Sequence, residues 1–218
     1  LGRISDFELV ERQADRIGFS LKWTQESLKK YPWKFQLDIE YVLHDNQIEV
    51  IWTVQNLDDK EMIYSIGSHG AFRCPIVPGE KFEDCYLAFS EDEDAGNMQL
   101  DAKGQFQHGY GTAKLSGRKL ALNYEMFRND ALAYDKQKSD TVSICSTKSD
   151  KKLTVTARDF PYWGFWTPDQ GGAPFLCIEP WHGHADFVDF TGEFKDREGS
   201  ESLLPGNKQT FRYTIQIG

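Results

Sequence analysis

The sequence predicts an all-β chain, a large antiparallel β-sandwich occupying residues 1–218 as one domain. Three observations carry that expectation. Apolar and polar residues alternate at period two along several stretches. Clusters of Gly, Pro and Asp interrupt these stretches at short intervals, and segments with helical spacing are scarce. A chain that wound strands and helices in turn would look different.

The elements follow in order. Phe7–Val10 and Ile17–Trp23 open the chain with short runs of apolar and aromatic residues. Phe35–Val42 and Ile48–Val54 alternate cleanly, and the intervening His44–Gln47 supplies turn chemistry, so the pair reads as a hairpin. Further strands are expected over Tyr86–Phe89, Thr141–Cys145, Leu153–Ala157, Phe175–Ile178 and Phe211–Ile217. Ser27–Lys30, ahead of Pro32, and Asn123–Phe127 have room for a helical turn each. The acidic stretch Glu91–Asp94 reads as a solvated loop.

Composition narrows the function classes. A formal charge of −9 argues against nucleic acid, whose binding requires a basic face. No apolar run reaches the roughly 20 residues that span a bilayer as a helix, and the start lacks the shape of a signal peptide. Cys74, Cys85, Cys145 and Cys177 are spaced irregularly with no C-x-x-C pair, which suggests reduced thiols and a cytoplasmic location. The first residue is Leu1 and the text opens mid-phrase, so upstream strands are expected to be missing. Phe7–Val10 would then be a bared edge, open to self-association by strand addition.

Two segments carry the candidate chemistry. In Ser65–Pro75, His69 lies between Ser68 and Gly70, with Gly67 close by, at the end of an apolar stretch. It could line a cleft, or it could be a histidine hydrogen-bonded within a loop. In Ala173–Asp186, Glu179 follows the wholly apolar Phe175–Ile178 and is fenced by Pro180 and Trp181. A carboxylate there is costly to ionise without a partner, so it is either functional or tied to an arginine. His182, His184 and Asp186 follow the H-x-H-x-D pattern of metallo-β-lactamase-type hydrolases, but Phe187 stands where that motif continues with histidine. That motif also belongs to a fold of alternating strands and helices, so no metal is expected. G-x-S-x-G elbows and Gly-rich phosphate loops are absent. The Trp163–Trp166 cluster suits a core, although aromatic faces also suit the apolar C–H faces of a sugar.

Together these segments resemble the aldose 1-epimerase (galactose mutarotase-like) family, and within it the shorter LacX-like bacterial branch. The resembling features are Ile66-Gly-x-His69-x-x-Phe72-x-x-Pro75, the Phe127–Tyr134 segment, Phe160–Trp166, Cys177–Trp181, Ala185–Asp186 and the closing Leu203–Gly206 and Phe211–Ile215. The resemblance implies a large antiparallel β-sandwich that interconverts the α and β anomers of free hexoses, with no metal or organic cofactor. By position, His69 matches the family's catalytic acid and Glu179 its base. Asp130, Arg3 and Trp181 are the candidate substrate-binding residues, Arg3 matching the arginine end of a family loop whose histidine lies further upstream. His69 and Glu179 are expected to face each other across a cleft the size of a hexose ring. Two alternatives stand beside this reading: a hexose-6-phosphate epimerase using Arg73 and Arg3, and a carbohydrate-binding protein without catalysis.

Overall fold

A computed structural model of the chain describes residues 1–168 and 170–218. The chain divides into two compact units, Leu1–Tyr64 with Glu201–Gln216, and Ser65–Ser200 with Ile217–Gly218. The fold class is the expected one: large antiparallel sheets with only short helices.

In the first unit, strands Glu8–Arg12, Arg16–Lys22, Phe35–His44, Gln47–Asn56 and Lys208–Ile217 pair antiparallel in that order. The expected hairpin runs in unbroken register from Phe35↔Asn56 to His44↔Gln47. Its two-residue turn needs a left-handed residue, and Asp45 supplies it with φ 50°. The helical turn Gln25–Leu28 is nucleated by Thr24 and Ser27, whose hydroxyls each accept from the other's backbone N–H. Val50, Trp52, Val54, Phe211 and Tyr213 are buried on the sheet. Leu9 and Val10, on the terminal strand of this unit's order, are exposed.

Asn56 ties the end of this sheet together. Fully buried, it donates from Nδ2 to the carbonyls of Lys60 (2.9 Å) and Leu203 (2.8 Å) and accepts from the Asp58 N–H at 2.9 Å. The Leu203 bond holds the Glu201–Leu203 strand, which pairs with Met62–Tyr64.

The second unit is itself layered. One sheet orders Leu153–Thr156, Thr141–Ser146, Cys85–Ala95 and Leu115–Ala121. The other orders Phe106–Tyr110, Met98–Leu100, Leu132–Tyr134, Tyr162–Trp166 and Phe175–His182. Two short strands, Ile66–Gly67 and Gly70–Arg73, share the far edge of Phe175–His182. Leu87, Phe89, Val142, Ile144 and Val155 of the first sheet are buried, as are Trp163, Phe165, Leu176 and Ile178 of the second. Phe89 meets Phe165 edge-on between the layers at 6.1 Å. The four cysteines are unpaired, and no helix among the described residues is long and apolar enough to cross a membrane.

The acidic stretch corrects the sequence expectation. Glu91–Asp94 is not a loop but lies near the end of the Cys85–Ala95 strand, whose Glu93–Ala95 pair with Leu115–Gly117. Glu93 is buried at 3% exposure, and its carboxylate accepts backbone N–H bonds from Lys138 and, at 2.8 Å, Ser139. Charge density hid a strand because one of its carboxylates points inward onto donors that only the fold supplies.

Asn56→Ala removes two donated bonds and one accepted bond in a buried setting. We expect a loss of about 2–3 kcal/mol, read as a lower denaturant midpoint at unchanged slope.

Candidate active site

The site is one face of the second unit's inner strands. Residues alternate faces along a strand, so Phe175, Cys177, Glu179 and Trp181 share one side of Phe175–His182, while Leu176 and Ile178 fill the core on the other. Their cross-strand partners are Trp166 opposite Cys177, Gly164 opposite Glu179, and Tyr162 opposite Trp181. On the other flank, Ala71 faces Cys177 and Arg73 faces Phe175.

His69 sits at the break between Ile66–Gly67 and Gly70–Arg73. The Ser68 N–H donates to the Pro180 carbonyl at 2.9 Å, and the Gly70 N–H donates to Ser68 Oγ at 3.2 Å, which fixes the backbone on both sides. From there the imidazole reaches Glu179, with Nδ1 3.3 Å from Oε1. It is 52% exposed while the carboxylate is 6% exposed. Trp166 meets the imidazole edge-on at 6.2 Å. The structure thus brings His69 and Glu179 together, and closer than expected. The two groups touch, with no ring-sized gap between them, because the break in the edge strands lies directly beside the Glu179 strand.

The other oxygen of Glu179 has a different partner. Trp181 Nε1 donates to Oε2 at 3.3 Å and to the Ser68 carbonyl at 3.2 Å. The indole lies over two glycines. A Cβ at Gly164 would stand 2.2 Å from the ring, and one at Gly67 2.6 Å from it. Both glycines are therefore required by close approach. Cys177 is buried beside the pair, and burial together with the Glu179 carboxylate pushes its thiol up to about 12.

The remaining candidates fall elsewhere. Asp130 is exposed in a left-handed turn (φ 80°), where its carboxylate accepts from the Ala131 N–H at 2.7 Å. It ends the turn that leads into Leu132–Tyr134, the strand next to Tyr162–Trp166. Arg3 lies exposed in the short helix Gly2–Ile4 of the first unit. His184 packs edge-on against Phe106, Tyr162 and Phe187, with Nδ1 2.6 Å from the Ala185 carbonyl. Asp186 pairs with Arg197. Among the described residues, the donor group that converges tightly is His69, Cys177 and Glu179. Sequence reasoning missed Gly164, Cys177 and the support role of Trp181. The signal for Gly164 was a glycine inside an aromatic run, where a strand tolerates one only for close approach.

The family model for aldose 1-epimerase matches residues 1–200. The chain belongs to the aldose 1-epimerase family. It is 34% identical over 225 residues to the chromosomal LacX protein of Lactococcus lactis subsp. lactis, an alignment covering 99% of this chain and 73% of that one. It is similar to the solved galactose mutarotase related enzyme of Lactobacillus acidophilus, with 30% identity, a TM-score of 0.90, and coverage of 99% and 72% of the two chains. A galactose mutarotase-like protein from Lactobacillus casei shares the fold at a TM-score of 0.89 and 22% identity, over 98% of this chain and 73% of that one.

Gly164→Ala drives a methyl group into the Trp181 ring. We expect a destabilisation of about 1–3 kcal/mol in thermal or denaturant melts. It should be accompanied by a changed tryptophan emission as the indole leaves Glu179.

Proposed function

We propose that the chain is an aldose 1-epimerase acting on free hexoses by acid/base ring opening and reclosure. The observation that carries this reading is the direct apposition of His69 and Glu179 on the open face of a buried strand. Family membership and the similarity to the galactose mutarotase related enzyme support it.

In this mechanism the Glu179 carboxylate takes the proton of the C1 hydroxyl, while a protonated His69 gives its proton to the ring oxygen. The bond between C1 and the ring oxygen breaks, giving the open aldehyde. Rotation about C1–C2 presents the other face of the carbonyl. On reclosure His69 takes back the proton of the attacking hydroxyl, and protonated Glu179 returns its own to the carbonyl oxygen. Both groups end as they began, and every proton has a protein group to hold it. The reaction written this way calls on no cofactor.

A sugar reaches Glu179 only when His69 swings off it. The half-exposed imidazole can do this by side-chain rotation, while Glu179 stays fixed by Trp181. The Trp166 ring beside them offers an apolar face to the sugar's C–H groups.

Arg73 supports a second reading, in which the hexose carries a 6-phosphate. It lies exposed on the Glu179 face, opposite Phe175 and so four residues, roughly 13 Å, along the strand. Guanidinium is well matched to phosphate.

Polarimetry of freshly dissolved α-glucose or α-galactose tests the first reading. Glu179→Gln and His69→Asn should each lower kcat about 10²-fold or more, with binding of the sugar retained. A wild-type chain that binds hexose but never speeds its mutarotation would make this a carbohydrate-binding protein. Arg73→Gln separates the substrates. If the phosphate ester is the true one, KM for glucose 6-phosphate should rise about tenfold or more while that for glucose stays put.

A further inference from the structure

The face that holds Glu179 also carries a soft donor for which proton transfer has no use. Cys177 Sγ, one ring nitrogen of His69 and a carboxylate oxygen of Glu179 all lie within 4.8 Å of one another. Their placement follows from the fold. Cys177 and Glu179 are two residues apart on one strand and so share a face, and the break in the neighbouring edge lets His69 reach over them.

The His69–Glu179 spacing suits a tetrahedral metal, and Cys177 Sγ lies within 4.8 Å of both. Arms of about 2.0–2.2 Å to nitrogen and oxygen leave those atoms about 3.3–3.5 Å apart at the tetrahedral angle. His69 Nδ1 and Glu179 Oε1 stand at 3.3 Å. The same carboxylate is oriented through its other oxygen by Trp181 Nε1, the outer hydrogen bond that metal-ligating carboxylates characteristically have. The half-exposed imidazole leaves a way in from solvent. A donor set of one sulfur, one nitrogen and one oxygen selects zinc over magnesium or calcium, which take oxygen almost exclusively.

We propose that His69, Cys177 and Glu179 form a Zn²⁺ site, and that its occupation switches off anomer interconversion. The site needs no redox partner. Zn²⁺ replaces the thiol proton, which leaves to the buffer, and neutral His69 donates its Nδ1 lone pair. The bound ion takes the lone pair with which Glu179 accepts the C1 proton and the nitrogen with which His69 carries its own. Zinc here is an inhibitor of the acid/base pair and not a participant in it. The inhibitory half of the proposal rests on the epimerase reading; the binding half does not.

Cobalt provides a readout independent of activity. The full chain, stripped of metal with EDTA and titrated with Co²⁺, should develop the visible bands of tetrahedral cobalt and a near-ultraviolet thiolate-to-cobalt band. Both should saturate at one equivalent and be displaced by Zn²⁺. Cys177→Ser should lose the thiolate band, and the surface change His69→Ala should weaken cobalt binding about tenfold or more, so a folding failure of one variant leaves the other decisive. In polarimetry, zinc should abolish the wild-type rate and EDTA restore it, while Cys177→Ser, scored against its own metal-free rate, should need at least tenfold more zinc. A thiolate band that survives Cys177→Ser, or cobalt affinity unchanged in His69→Ala, overturns the site. Full activity in the zinc-loaded chain overturns the switch. A metal-free chain with no activity would overturn the epimerase reading, and with it the switch, while the cobalt spectrum still decides the site.

Discussion

A carboxylate taken out of water must find donors, and the site is organised around that requirement at Glu179. One oxygen is held by the Trp181 indole and the other meets His69. The indole can lie there only because Gly164 and Gly67 leave its space empty, and the strand register places Gly67 opposite Trp181 and Gly164 opposite Glu179. Pairing, glycine, indole and carboxylate thus form a chain of necessity. A change at any link is felt at the last.

The protein holds a second buried carboxylate that clarifies the first. Glu93 is as deeply buried as Glu179, yet its acceptors are bonded by the N–H groups of Lys138 and Ser139. Backbone donors cannot move aside without undoing the loop that carries them, so Glu93 is structural and closed to substrate. Glu179 is held by side chains, one of which reaches into solvent. Similar burial therefore comes with different partners at the two carboxylates.

How much of this was legible in the sequence varied with the distance over which the information acts. Alternation along Phe35–Val42 and Ile48–Val54 is local, and that hairpin emerged in full. Glu179 after an apolar run, and His69 among glycines, were conspicuous for the same reason. Tyr162–Trp166 was ambiguous because it is buried or covered on both faces, so no polar face marks its period. The strand at Glu91–Asp94 was hidden because the pairing of Glu93–Ala95 with Leu115–Gly117 and the donors for Glu93 come from elsewhere in the chain. Trp181 stood in the sequence as a candidate substrate-binding residue. Only cross-strand register reveals that its N–H is committed to Glu179 and Ser68.

The placement of His69 and Glu179 divides the labour between rigidity and motion. Glu179 lies inside a strand paired on both flanks, to Tyr162–Trp166 and to the short edge strands, so its position is set by ladders that open only when the sheet does. His69 lies where the edge ladder is interrupted, with the backbone pinned at Ser68 and the side chain half in water. With the imidazole half in water, its contact with Glu179 can open by side-chain rotation. Admitting a ligand between the two groups therefore costs a side-chain rotation and not a strand. The same interruption brings the imidazole over Cys177 as well as Glu179. An opening in the sheet edge that frees an imidazole to move is also what leaves three dissimilar donors within reach of a single ion.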